Sequence, residues 1–146
     1  MANIESVSPS VYEEVYEIAE QFVKGLYSSN SKNVAPLFHP KAVVFGDLGG
    51  NEYLNGSLLK KFELVDAGLP PNMTAQFTII GLTNTTAVIK VEKGTGRGFD
   101  GSDFVTMIRK DGKWLIVSKV FDGYSGWFTG PPKAALCGSC YGGCRA

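Results

Sequence analysis

At Met73 the hydrophobic period of this chain changes, and that change restricts the folds open to it. Upstream, Val11, Val15, Ile18, Ala19, Phe22, Val23 and Leu26 recur at helical spacing and predict one apolar face on a helix over roughly residues 9–29. Ser8-Pro9 supplies a cap followed by a first-turn proline, with Ser10 and Glu13 as an alternative capping box. Gly25 inside that helix predicts close packing or a bend. A short helical turn over residues 33–38 and a strand over 42–45 follow. A second helix starts at Ser57, with Leu58, Leu59, Phe62 and Val65 expected inside and Gly68 as its stop. Downstream of Met73, residues 74–82, 85–93, 99–109 and 113–121 are rich in β-branched and aromatic side chains. Thr83-Asn84 and Asp111-Gly112 read as hairpin turns. Helices followed by a meander of strands are an α+β pattern, with helices packed on one face of a curved antiparallel sheet.

The chain has 146 residues, 44% hydrophobic and 19% charged, which suits one domain with one core. Acids and bases balance at 14 each, so no global field draws in nucleic acid or an anionic membrane. No apolar run has spanning length, and residues 1–6 carry no export pattern, so a cytoplasmic setting is expected. All three cysteines lie in Cys137-Gly-Ser-Cys140-Tyr-Gly-Gly-Cys144, beyond Gly130-Pro131-Pro132. The expected organisation is a domain over residues 1–130 and a Gly/Cys-rich tail over 131–146. The tail's spacing lacks a fourth zinc ligand within itself. Cys137, Cys140 and Cys144 therefore stand as metal ligands, as targets of a modifying enzyme, or as incidental thiols.

Phe22-Val23-Lys24-Gly25-Leu26-Tyr27, Phe38-His39-Pro40-Lys41-Ala42, Asp103-Phe104-Val105-Thr106-Met107 and residues 111–121 (Asp-Gly-Lys-Trp-Leu-Ile-Val-Ser-Lys-Val-Phe) carry a resemblance. In order and spacing they are similar to the SnoaL-like, lumazine-binding-like branch of the nuclear transport factor 2-like superfamily. The resemblance implies a cone-shaped fold, with a long N-terminal helix lying across a strongly bent sheet and a pocket between them. It also implies a homodimer. It leaves activity open, because this fold hosts isomerases, cyclases and non-catalytic binding modules.

Three functions follow as expectations. The first is a small-molecule-binding domain for a small apolar or aromatic ligand. The second is a proton-transfer isomerase or cyclase using Asp103, whose carboxyl would become a better base if burial raised its pKa. His39, the lone histidine, would assist, unless it merely orients the turn before Pro40. The third is a leader or carrier domain for the cysteine tail. Tyr12, Tyr16, Phe45, Asp103 and Trp114 are expected around the pocket, and Tyr53 is a further hydroxyl donor. Period-two alternation puts Lys119 with Leu115, Val117 and Phe121, and Trp114, Ile116, Ser118 and Val120 on the other face. Lys119 then either pairs with Asp103 or an anionic ligand, or lays its stem on apolar surface with its head in water; the second is the default for a lysine. Both faces of this strand are largely apolar, so helices are expected to cover one and a second copy or the tail the other. The sequence leaves the cofactor open.

Overall fold

The computed structural model describes residues 6–48, 51–53, 56–68, 72–94 and 101–123. The cysteine tail, residues 95–100 with Phe99 among them, and the side chain of Tyr53 lie outside the described residues. Helix α1 spans Pro9–Tyr27 and buries Val11, Val15, Ala19, Phe22, Gly25 and Leu26. Proline opens it directly after Ser8, so the Ser10–Glu13 capping box is not used. Ser8 Oγ instead meets Ser10 Oγ at 2.9 Å. Gly25 is required for contact, because a Cβ there would overlap Val34 and the Asn33 backbone. Two 3-10 turns, Ser31–Asn33 and Ala35–Leu37, take the place of the short helical turn.

Strand β1 (Phe38–Leu48) is longer than its apolar run, and β2 is a short edge strand, Asn51–Tyr53. Helix α2 spans Leu58–Ala67, and Ser57 caps it by accepting from the Lys60 backbone N–H at 3.2 Å. Strands β3 (Thr74–Leu82), β4 (Thr86–Gly94), β5 (Gly101–Lys110) and β6 (Lys113–Gly123) complete one sheet in the order β2-β1-β6-β5-β4-β3. Asp111 and Gly112 have φ of 52° and 76°, the left-handed pair that a two-residue hairpin with a primed turn demands. The sheet is antiparallel except where β1 pairs with β6 in parallel. The long excursion from β1 through α2 and the meander makes that geometry accessible.

One face of the sheet carries the core. Val44, Ile89, Val91, Val105, Met107 and Ile116 are fully buried there beneath α1. Two expectations about faces fail. In α2 the buried residues are Lys61 and Val65, while Leu59 is 70% exposed. Leu58, Lys61, Phe62 and Val65 follow the three- and four-residue spacing of one helical stripe, and Leu59 falls off it. In β6 the register against β5 shifts between Thr106 and Met107. The irregularity breaks strict alternation, so Trp114 and Ile116 share the buried face with Lys119 and Phe121.

Candidate functional site

Among the described residues, the buried charged side chains are Lys61, Lys93, Asp103 and Lys119, and they meet at one place. Asp103 follows the inward alternation of β5 with Val105 and Met107. Lys93 continues the inward series Ala87, Ile89, Val91 on β4. Asp103 lies directly across from Val91 on one side and Phe121 on the other. Lys93 and Lys119 are thus its diagonal neighbours, two residues along the flanking strands, a span that a long side chain covers. Both ammonium groups reach the same oxygen: Lys93 Nζ is 2.8 Å and Lys119 Nζ 3.1 Å from Asp103 Oδ2. Lys119 also lies 4.8 Å from the centre of the Phe121 ring, a cation–π contact. That ring in turn occupies the space a Cβ at residue 46 would need, which explains glycine there. Lys61, on the buried stripe of α2, lies close enough to the group to feel the charges of Lys119, Lys93 and Asp103.

Three amines around one carboxylate cannot all be charged at low cost in a dry interior. Burial pushes Lys61 well below the usual lysine range, and the charges of Lys119 and Lys93 push it further, against the pull of Asp103. Burial likewise brings Lys93 down to about 8; Asp103 opposes this and Lys119 adds to it. For Asp103, burial alone would raise the pKa, but Lys119, Lys93 and Lys61 together outweigh it and hold the carboxyl well below its ordinary value. The general base expected of a buried Asp103 is therefore not what the surroundings create. Asp103 is a fixed anion, and the basic groups are amines. A neutral buried amine is a nucleophile or base, and an ammonium beside it is a proton donor.

The other expected residues lie elsewhere. Lys119 is 2% exposed, so the reading with its head in water is replaced by the pair with Asp103. Trp114 is buried but pairs across from Arg109, six residues along β5 from Asp103, or roughly 20 Å. Its indole N–H donates to Glu14 at 2.8 Å, and Glu14 also meets Arg109 at 3.5 Å. Tyr12 and Tyr16 sit on α1, half exposed, and Tyr16 stacks edge-on against Phe77 with centroids 5.0 Å apart. Phe45 lies on the outer face of β1, opposite to its buried neighbours Val44 and Gly46 and hence opposite to Asp103. His39 stands at the start of β1, and its Nδ1 accepts the Lys41 backbone N–H at 3.0 Å. It holds the strand's first turn, with a backbone donor rather than a carbonyl as partner. The adjoining Phe38 pairs with Ile116, five residues along β6 from the level of Asp103.

Lysine's usual place at the surface hides Lys61 and Lys93 in the sequence, although both carry a signal. Each occupies an apolar position of its element's own period, the α2 stripe and the inner row of β4. The described residues contain no group of three His, Cys, Asp or Glu side chains placed to hold a metal ion. No helix among them is long and apolar enough to cross a membrane.

Residues 10–122 match the family described as "Putative lumazine-binding". The chain belongs to this family. The lumazine-binding-like domain covers both helices and all six strands almost completely, and its fold is nuclear transport factor 2-like. A solved NTF2-like protein of unknown function from Methylobacillus flagellatus KT superposes with a TM-score of 0.73 at 27% identity, over 82% of this chain and 96% of that one. Another from Shewanella baltica OS155 gives 0.66 at 23% identity, over 80% and 96%. The aldolase FrzH of Cladobotryum sp is 32% identical over 120 residues, spanning 81% of this chain and 95% of FrzH. Family and fold support a small-molecule-binding domain.

Proposed function

We propose that this lumazine-binding-like domain is an enzyme acting on a small carbonyl compound. It makes or breaks a carbon–carbon bond beside the carbonyl, with Lys61, Lys93, Asp103 and Lys119 as its centre. The observation that carries this reading is the excess of buried amine over buried carboxylate. Such a group is unfavourable for folding, and it supplies what carbonyl chemistry needs: a base for the adjacent C–H and cations for the developing oxyanion. Similarity to an aldolase over nearly its whole length supports the same reaction class. The surrounding side chains, Val91, Val105, Phe121 and Val65, are apolar, which suits a substrate with a polar end and an apolar body.

The test is exchange of deuterium into the α-carbon of acetone, cyclohexanone or propanal in heavy water, followed by proton NMR. The wild-type domain is expected to accelerate exchange for at least one of them, and Lys93→Met to remove most of that rate. Exchange no faster than with an unrelated protein of similar lysine content would leave only a binding function. The proton-transfer reading through Asp103 as base is disfavoured, because its carboxylate is already neutralised by two ammonium contacts.

A homodimer through the outer sheet face belongs to the same proposal. Phe45, Val120 and Phe104 form one cross-strand row on that face, with Val43 beside them, each 37–50% exposed. Such a contiguous apolar row favours a two-fold partner. Phe104→Glu is expected to halve the mass measured by light scattering and to leave the circular dichroism unchanged. A wild-type monomer at micromolar concentration would contradict the dimer.

A further inference from the structure

We infer that α2 is a cover over the buried lysine–aspartate group, hinged at Gly56 and Gly68 and latched shut by Asp66 on Ser31. That the opening admits a carbonyl substrate rests on the reading above; the opening itself does not. Lys93 and Asp103 have no exposure to solvent and Lys119 almost none, so whatever reaches them must first displace an element of the fold. The first half of α1 lies at the other end of the sheet, where Glu14 meets Trp114 and Arg109, six residues along β5 from Asp103. α2 lies at this end. Its stripe of Lys61 and Val65 is buried against the inner face, and Lys61 is close enough to the group to feel all three charges.

Both ends of α2 are built to turn. Gly56, just before the Ser57 cap, has a φ of 82°, and Gly68, directly after Ala67, combines a φ of 87° with a ψ of 162°. The second combination is open essentially to glycine alone. Element-terminal positions of this kind are where hinges absorb a large change in a few dihedrals. Between them the docking is light. α2 buries two residues, Lys61 and Val65, where α1 buries six. The Phe62 ring adds one edge contact with Phe38, at 5.7 Å between centroids. Lys61 works against the docking, because a sunken amine costs free energy whether it keeps its proton or gives it up. It has no carboxylate within ion-pair distance among the described residues to offset that cost. The Gly56 N–H donates to the Val44 carbonyl at 2.8 Å and fixes the first hinge to β1. The Asp66 carboxylate fastens the far end: it accepts the Ser31 backbone N–H at 2.7 Å and the Ser31 hydroxyl at 3.1 Å. Both of those bonds lie at the surface, where water can replace them. The strands beneath are held along their length by ladder hydrogen bonds, so the least costly opening at this end of the fold is α2.

Native-state hydrogen exchange of the full chain tests the cover, and lysine acetylation tests what it covers. Amides of Phe62 to Val65 should exchange at least about 100-fold faster than those of Val105 and Met107 in β5, with little dependence on low denaturant. Asp66→Ala, which removes both latch bonds, should speed the α2 amides about tenfold further and leave those of β5 unchanged. Ser31→Ala, which removes one, should have a smaller effect in the same direction and serves if the first variant folds poorly. With N-hydroxysuccinimidyl acetate, buried Lys93 should be acetylated faster than global unfolding allows, and about tenfold faster again in Asp66→Ala. Exchange of the α2 amides only with global unfolding overturns the inference. So does an Asp66→Ala protein whose α2 exchanges as in wild type, or rapid α2 exchange with Lys93 still protected. If exchange and acetylation behave as expected but acetone, cyclohexanone and propanal gain no deuterium, the cover stands and the carbonyl reading falls.

Discussion

Asp103→Asn is expected to destabilise the domain by about 3–5 kcal/mol, the usual consequence of removing one partner from a buried ionic group. Asparagine has nearly the same shape, so the loss is electrostatic and not a cavity effect. Lys93 at 2.8 Å and Lys119 at 3.1 Å both lose the charge that offsets their burial. Lys93, whose proton affinity is already lowered by burial, gives up its proton more readily, which limits the loss without removing it. For a chain of this length the midpoint of thermal unfolding should fall by roughly 10–20 °C. The same experiment separates two mechanisms. If Asp103 were only a catalytic base, the substitution would abolish turnover and leave stability nearly unchanged. If it anchors the lysines, stability and turnover fall together, and the further change Lys93→Met should restore part of the stability. Thermal melts of wild type, Asp103→Asn and Asp103→Asn/Lys93→Met decide between them.

The second large expectation is that the domain becomes more stable as pH rises above neutrality. Lys93 has a folded pKa of about 8 against an ordinary lysine value near 10.4 in the unfolded chain. Between those two values the unfolded state binds more protons than the folded state, so stability increases with pH. Below about pH 8 both states are protonated and the full penalty of the buried charge is present. Above the unfolded value the penalty has vanished. Integrated over the window, Lys93 alone contributes about 3 kcal/mol. Lys61, also depressed, acts in the same direction. Asp103 has the opposite dependence: its depressed pKa stabilises the fold above the ordinary carboxylate range, and that contribution is lost as pH falls through and below it. Denaturant midpoints at pH 7, 8.5 and 9.5 should rise in wild type and flatten in Lys93→Met. A decline over this range in wild type would mean that the lysines are not buried as described.

Much of the architecture was legible because periodicity reports directly on which face of an element is dry. The seven apolar positions proposed for the first helix lie within α1, whose buried residues include five of them. The Asp111-Gly112 turn was legible because few dipeptides accept two left-handed residues in succession. The candidate site was legible only in fragments. Asp103 stood out as an acid in an apolar strand, and Lys119 as its possible partner. Lys61 and Lys93 were hidden by the ordinary habit of lysine, which is to keep its head in water. Trp114 and Phe45 share with Asp103 only the suggestion of a common pocket that aromatic residues on converging elements carry. Distance along a strand separates the first from Asp103, and the face of the sheet separates the second.

By itself the sequence determined the order and type of the main elements, since these depend on local spacing, turn chemistry and capping. It also placed Lys61 and Lys93 at inward positions of their elements' periods. Only the tertiary structure decided that these lysines meet Asp103. Their convergence depends on the cross-strand register Val91–Asp103–Phe121, on the irregularity that turns Lys119 inward, and on where α2 settles on the sheet. Register and docking are set by contacts between segments far apart in the chain, and a one-residue slip would send each strand's charge to the opposite face. Whether a lysine is an idle surface cation or a buried amine is a property of that packing, because its proton affinity follows from the charges and solvent that the fold places around it.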